Sequence, residues 1–202
     1  MEQTAVKQVA PVEEAVHVAK KVKKRWIDII APQEFEHAFL GETYVDEPEK
    51  VVGKVVQVNL MNLTHDPKKQ SMVVSFSVIN VKNNQANAVL TGFEIPAAHV
   101  KRMTKRSKAK VEDSCVYTGA DKVKVQIKVI LMTKTKTQKS KLTLMRMESR
   151  KFFNEAVKKD SFNEVMKNVV SGSLQRDMKA VIKKYHSLSG AFIRVAKRVP
   201  NQ

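Results

Sequence analysis

Val123-Lys124-Val125-Gln126-Ile127-Lys128-Val129-Ile130-Leu131 decides the fold class. Apolar residues fall at 123, 125, 127, 129 and 131, with Lys124, Gln126 and Lys128 between them. A period of two is a strand with one apolar face and one wet face. Upstream, Val111 to Tyr117 reads as a second strand, and Thr118-Gly119-Ala120-Asp121 supplies a turn. The pair predicts an antiparallel hairpin, one face oil and the other mostly lysine.

Working outward, the period changes after the Lys/Thr run Thr133 to Thr137. Phe152, Phe153, Ala156 and Val157 form a helical stripe. Ser161 with Glu164 makes a capping box ahead of Phe162, Val165, Met166, Val169 and Val170, which follow helical spacing. Ser171-Gly172-Ser173 ends that helix and opens another, striped by Leu174, Met178, Val181, Ile182 and Tyr185. A last strand is predicted after Gly190, over Ala191 to Val199.

Towards the N-terminus, Met72 to Val78 alternates and Val51 to Leu60 is Val-rich, so both predict strands around a turn-rich loop, Asn62 to Lys69. Asn83-Asn84-Gln85 suits a hairpin into Ala86 to Ile95, and Pro96 opens a helix with Ala97, Val100 and Met103 on one side. Lys23 to Ile30 is a short extended run around Trp26. Pro32 suits the first position of a helical turn with Glu34 and Glu36 near its positive end and Gly41 closing it. The order is α+β: a mostly antiparallel, β-barrel-like core, C-terminal helices packed on it and a final strand. Residues 1–22 are expected to be a flexible tail, with Pro11 breaking any helix, and residues 23–199 a single domain.

Charge sorts the partners. The chain of 202 residues carries 37 Lys and Arg against 20 Asp and Glu, a net +17 that asks for a polyanion. Residues 1–50 hold 7 basic and 10 acidic side chains, so the positive field belongs to residues 51–202. Cys115 is the one cysteine and cannot form an internal disulfide, which fits a reducing, intracellular setting. Met1 to Lys24 lacks the apolar run of a signal peptide, and no stretch approaches a bilayer span, so a cytoplasmic protein is expected.

Catalytic patterns do not emerge. His17, His37, His65, His99 and His186 lie far apart, with no metal-ligand spacing, so no metal is expected. Six glycines never cluster into a phosphate loop, and no nucleophile-elbow or Walker string occurs. Asp46, Glu47 and Glu49 resemble a carboxylate pair only superficially: Pro48 punctuates them, and they are expected to be solvated or paired with a basic neighbour. No enzymatic activity and no cofactor is predicted.

Three basic blocks carry the functional signal: Lys101 to Lys110, Lys134 to Lys151 and Arg176 to Arg198, each a net +6. Lys and Arg are interleaved there with Ser, Thr and Gln, all able to donate to phosphate oxygens. The candidate RNA contacts are Lys101, Arg102, Lys105, Arg106, Lys108 and Lys110; Lys134, Lys136, Lys139, Lys141, Arg146 and Arg150; Arg194, Lys197 and Arg198; and Lys23, Lys24 and Arg25 beside Trp26. Phe76, Phe93, Phe152, Phe162 and Tyr185 fall on predicted core faces, which leaves Trp26 as the one aromatic available for stacking. A competing reading takes 162–170 and 174–185 as a helix-turn-helix regulator of DNA, with Gln175, Arg176, Lys179 and Lys183 in a major groove. That reading leaves Lys101 to Lys110 and the hairpin lysines Lys122 to Lys128 without a role.

Several strings taken together resemble a known family. Lys23-Lys24-Arg25-Trp26-Ile27-Asp28, Ala31-Pro32, Phe35, Gly41-Glu42-Thr43, Asp46 to Val56, Asn62-Leu63-Thr64, the strand Lys69-Gln70-Ser71-Met72-Val73-Val74, and Leu90-Thr91-Gly92-Phe93-Glu94 resemble the archaeal and eukaryotic small-subunit ribosomal protein family called e-S-one, formerly S-three-A-e. The pattern covers about Lys23 to Val199, and the stop after the last strand resembles the archaeal type. Two places depart from it: Pro96-Ala97-Ala98 replaces Thr-Arg-Asp, and Tyr185-His186-Ser187-Leu188 replaces Tyr-Pro-Leu. The resemblance implies a structural protein on the platform of the small subunit near the messenger exit. Its implied partners are small-subunit ribosomal RNA, neighbouring platform proteins including the universal S-eleven protein, and messenger RNA near the exit. It implies no membrane and no small-molecule substrate.

Overall fold

The computed structural model describes residues 23–199, so the expected tail lies outside the described residues. Eight strands form one sheet: β1 (Arg25–Ile30), β2 (Phe39–Val45), β3 (Val55–Asn59), β4 (Val73–Lys82), β5 (Gln85–Glu94), β6 (Lys110–Thr118), β7 (Lys124–Thr133) and β8 (Leu188–Arg198). Five helices accompany them: α1 (Leu60–Thr64), α2 (Ala97–Met103), α3 (Lys139–Lys159), α4 (Phe162–Ser171) and α5 (Ser173–Ile182).

β5 organises the sheet. One edge pairs with β4 antiparallel along its length; the other takes β1 in parallel at Gln85–Asn87 and β8 antiparallel at Gly92–Glu94. All other pairings are antiparallel, which agrees with the α+β expectation. Among the described residues the sheet is open rather than a closed barrel, since β2, β3 and β6 each pair along one edge only. The β4–β5 turn has Asn83 at φ 50° and Asn84 at φ 63°. Two consecutive left-handed residues match the sheet's twist, and asparagine tolerates that region.

Both hairpin strands fold as their alternation predicts, and Val125, Ile127, Val129 and Leu131 are buried. The lysine face of β7 is shorter than expected, because Ile130 and Met132 are buried as well. Met132 shares a small apolar cavity, about 180 Å³, with Met103 of α2 and Phe192 of β8, so that end of the strand is covered on both faces.

At the second helix the expected capping box forms. Ser161 Oγ accepts from the Glu164 N–H, and the Glu164 carboxylate accepts from the Ser161 N–H at 2.8 Å. Phe162, Val165, Met166 and Val169 then face one hydrophobic core shared with both halves of the sheet. α3 begins earlier than its Phe152 signal, and Met145 and Ser149 join Phe153 and Val157 on its buried face. Gly172, at φ 79°, ends α4 and starts α5, a left-handed hinge that costs glycine little.

Several boundaries differ. Pro32 precedes a short turn at Gln33–Phe35 that Glu36 closes, while Gly41 lies inside β2. The Val-rich run yields a strand only from Val55, after a turn at Pro48–Val51. The expected loop begins as α1, because the Asn59 side chain accepts from the Met61 N–H and caps it. Ala97 and Tyr185 are exposed rather than buried, and β8 starts at Leu188 rather than Ala191.

Candidate nucleic-acid interface

Strands β6, β7 and β8 and helix α3 bring distant cations together. β8 carries a bulge opposite Lys128 and Val129: Lys128 pairs with Val195 and Val129 with Ile193, leaving Arg194 as the extra residue. Bulges re-aim a side chain out of the regular alternation. Arg194 joins Lys128 of β7 and Arg146 and Arg150 of α3 around a cavity of about 420 Å³, which Glu112, Asp113 and Ser114 complete. Arg150 is engaged there with Asp113, by Nε–Oδ2 and Nη2–Oδ1 bonds of 2.7 Å each. Hydrogen bonding from that guanidinium holds the Asp113 carboxyl below the usual carboxylate range despite its partial burial. The Arg194 Nε is buried and donates to no acceptor among the described residues. A guanidinium N–H left without a partner is costly, and an anion in this cavity would satisfy it.

A second junction joins two of the predicted blocks. Thr133 is fully buried at the end of β7; its hydroxyl accepts from the Ala109 N–H at 3.0 Å and donates to the Thr135 carbonyl at 2.6 Å. Its own N–H donates to the Ala109 carbonyl, and the Lys134 N–H to the Ser187 carbonyl. The Lys108 ammonium donates to Ser189 Oγ at 2.6 Å. The end of the Lys101 to Lys110 block and the start of the Lys134 to Lys151 block therefore meet at the start of β8. Five residues after Thr133, α3 follows Gln138 with no side-chain cap and no acidic residue in its first turn, while Lys139 and Lys141 are exposed on that turn. Cations at the positive end of a helix dipole oppose folding and favour a bound anion.

Other predicted contacts are dispersed. Lys101 and Arg102 occupy the last turn of α2, and Lys105, Arg106 and Lys136 are exposed in loops. Lys110 is tied to Glu112 at 2.9 Å. Lys197 and Arg198 line a separate depression with Gln57 and Thr91. Lys23 and Arg25 are exposed, whereas Lys24 sits 3.9 Å from Asp46 and 5.8 Å from the Tyr44 ring centroid. Lys128 and Ser114 escaped the sequence reading of the site. Only the lysine alternation of the hairpin pointed to Lys128.

The acidic stretch is paired only in part: Glu47 meets Lys50 at 3.1 Å and Glu34 meets Lys167 of α4 at 3.0 Å, while Glu42 and Glu49 make no ion pair among the described residues. Among the described residues no His, Cys, Asp or Glu group is arranged to hold a metal, and no helix is long and apolar enough to cross a membrane. Of the residues expected in a major groove, Arg176, Lys179 and Lys183 are exposed. Ser171 and Ser173 belong to the helices themselves, and Gln175, expected in the groove, turns inward to donate to the Val169 carbonyl at 3.0 Å. Phe76, Phe93 and Phe162 are buried, but Trp26 and Tyr44 form an exposed pair across β1 and β2, ring centroids 4.9 Å apart. Tyr44 was not among the aromatics weighed from sequence, because only strand register makes it a neighbour of Trp26.

Comparison with known proteins gives one consistent answer. A protein named small ribosomal subunit protein eS1 from Methanobrevibacter smithii is 30% identical over 166 residues, spanning 82% of this chain and 86% of the relative. Proteins of the same name from Archaeoglobus fulgidus and Natronomonas pharaonis are 29% and 27% identical, covering 85% and 77% of the chain and 82% and 75% of those relatives. The model of the Ribosomal S3Ae family matches residues 14–200, which takes in every strand, helix and basic block described above. With the family's pattern running through the sheet and the cationic junctions alike, this chain belongs to the Ribosomal S3Ae family, in its archaeal branch.

Proposed function

We propose that the chain is a structural constituent of the small ribosomal subunit, serving translation in the cytoplasmic ribosome without enzymatic activity, and that it holds small-subunit ribosomal RNA by its phosphates. Membership in a ribosomal family supports the first part. The observation that carries the second is the convergence of Arg146, Arg150 and Arg194 with Lys128 around one cavity, with a buried Arg194 Nε that has no acceptor among the described residues. Phosphate contacts position a protein on RNA without reading sequence, which suits a scaffold. Lys101 to Lys110 and Lys134 to Lys141, joined through Thr133, extend the same surface towards the uncapped start of α3. Lys197, Arg198, Lys23 and Arg25 are assigned to outlying contacts.

Residues 23–199 act as one ribosomal-protein domain. Its seat is the platform near the messenger exit, against the universal S-eleven protein and within reach of messenger RNA, as the family resemblance implies. The test is the salt dependence of binding to small-subunit RNA. With about six phosphates neutralised, affinity falls about a thousandfold between roughly 50 and 200 mM salt. A shallow slope, or absence of the native protein from small subunits after a moderate salt wash, would overturn the reading.

A further inference from the structure

The outer face of the β1–β2 ribbon has a different chemistry from the cationic surface. Alternation sends Ile27 and Ile29 into the core and Trp26 and Asp28 outward. Register sets Tyr44 opposite Trp26, Glu42 opposite Asp28 and Phe39 opposite Ile30. Trp26 is 61% exposed, Tyr44 52% and Phe39 60%, so most of the exposed aromatic surface among the described residues lies on this one ribbon. Between the aromatic pair and Phe39 sit two carboxylates directly opposite each other. Neither Asp28 nor Glu42 has an ion-pair partner among the described residues. Like charges facing across a strand pair are unfavourable, and a cation placed between them removes the penalty.

We propose that this face docks an extended, arginine-bearing segment of a neighbouring protein. The guanidinium bridges the Asp28 and Glu42 carboxylates while its plane lies against Trp26 or Phe39. Arginine suits the site because a planar, weakly hydrated cation can stack on a ring and donate to two carboxylates at once. A nucleic-acid occupant is disfavoured, because the same two carboxylates repel phosphates and Lys24, two residues before Trp26, is turned to Asp46 and Tyr44. Of the RNA contacts proposed above only the outlying Lys23 and Arg25 adjoin this face, and the proposal does not depend on them.

Trp26 is the only tryptophan in the chain, so its emission reports directly on this face. The experiment titrates the full chain with a short alternating arginine–serine peptide, and separately with single-stranded oligouridine, while following Trp26 fluorescence. The peptide is expected to shift the emission saturably, and the double variant Asp28→Asn, Glu42→Gln to weaken binding at least tenfold. Glu47→Gln, Glu49→Gln removes the same charge off the face and is expected to leave peptide binding unchanged. RNA binding and its salt slope are expected to be the same in both variants as in the parent chain, which separates failure here from failure of the RNA reading. Equal peptide affinity in the two double variants, a shift with oligouridine instead of peptide, or no shift at all would overturn the proposal. So would a peptide shift that appears only once residues 1–22 are removed, since the chain's own tail would then be the occupant.

Discussion

Arg150 of α3 grips Asp113 of the edge strand β6 through two parallel bonds of 2.7 Å, so one ion pair both fastens the long helix to the sheet and occupies an arginine at the candidate phosphate cavity. Asp113 thus competes with RNA for Arg150. Asp113→Asn keeps the size of the side chain but cannot return the fork. The variant is expected to bind small-subunit RNA more tightly at low salt, with a log–log salt slope steeper by about 0.9, the increment for one further phosphate. Its thermal midpoint falls at the same time. Filter binding across a salt series checks the first expectation and calorimetry the second; a weaker, shallower response would mean that the pair is needed to shape the cavity.

The same contact sets a pH dependence. Because Arg150 depresses the Asp113 value in the folded chain, the stabilisation is complete above the unfolded carboxylate value, about 4, and is lost as pH falls through the folded value. Glu164, held down chiefly by the Ser161 N–H, and Glu148, held down chiefly by Lys151, carry the same sign. The gap in urea midpoint between parent and Asp113→Asn should therefore be flat from about pH 7 to about pH 5 and close below about pH 4. A gap that widens towards acid would refute this assignment.

Thr133 tests whether the two basic blocks act as one surface. Thr133→Val preserves shape but removes the hydroxyl that pairs with the N–H of half-buried Ala109 and with the carbonyl of exposed Thr135. Losing these hydrogen bonds costs about 1 kcal/mol, readable as a lower urea midpoint at unchanged m-value. RNA affinity should drop as well, because Lys108 and Lys134 lose their common anchor at the start of β8. Loss of stability with full RNA affinity would show that the blocks bind independently.

How far the sequence carried can be judged at particular residues. Ser161 and Glu164, the alternation from Val123 to Leu131, and Asn83-Asn84 are local signals, and each became the expected cap, strand or turn. Tyr185 lies on a helical stripe in sequence but falls beyond the end of α5 and is exposed. The β1–β5 parallel pairing and the Arg194 bulge are long-range register choices with no local signature. Of the candidate site, Arg146, Arg150 and Arg194 were nameable from charge density alone. Their convergence, the neutralisation of Arg150 by Asp113 and the membership of Lys128 depend on which strands pair.

The start of α3 offers a sharper separation of stability from function. Gln138 occupies the N-cap position at φ −68° and ψ 151°, a backbone geometry that capping residues adopt, yet its side chain caps nothing. Gln138→Asp should bond the orphan N–H groups of the first turn and answer both the helix dipole and the nearby lysines, raising stability by about 1 kcal/mol. The introduced carboxylate would sit where a phosphate is expected, so RNA affinity should fall and the salt slope should become shallower. Gln138→Ser caps without charge, and is expected to keep most of the stability gain with a smaller loss of binding. Measured together by thermal unfolding and by RNA titration, the two variants distinguish a helix end left bare for phosphate from one that is merely uncapped: if Gln138→Asp gains stability and binds RNA as the parent does, no phosphate approaches the N-terminus of α3.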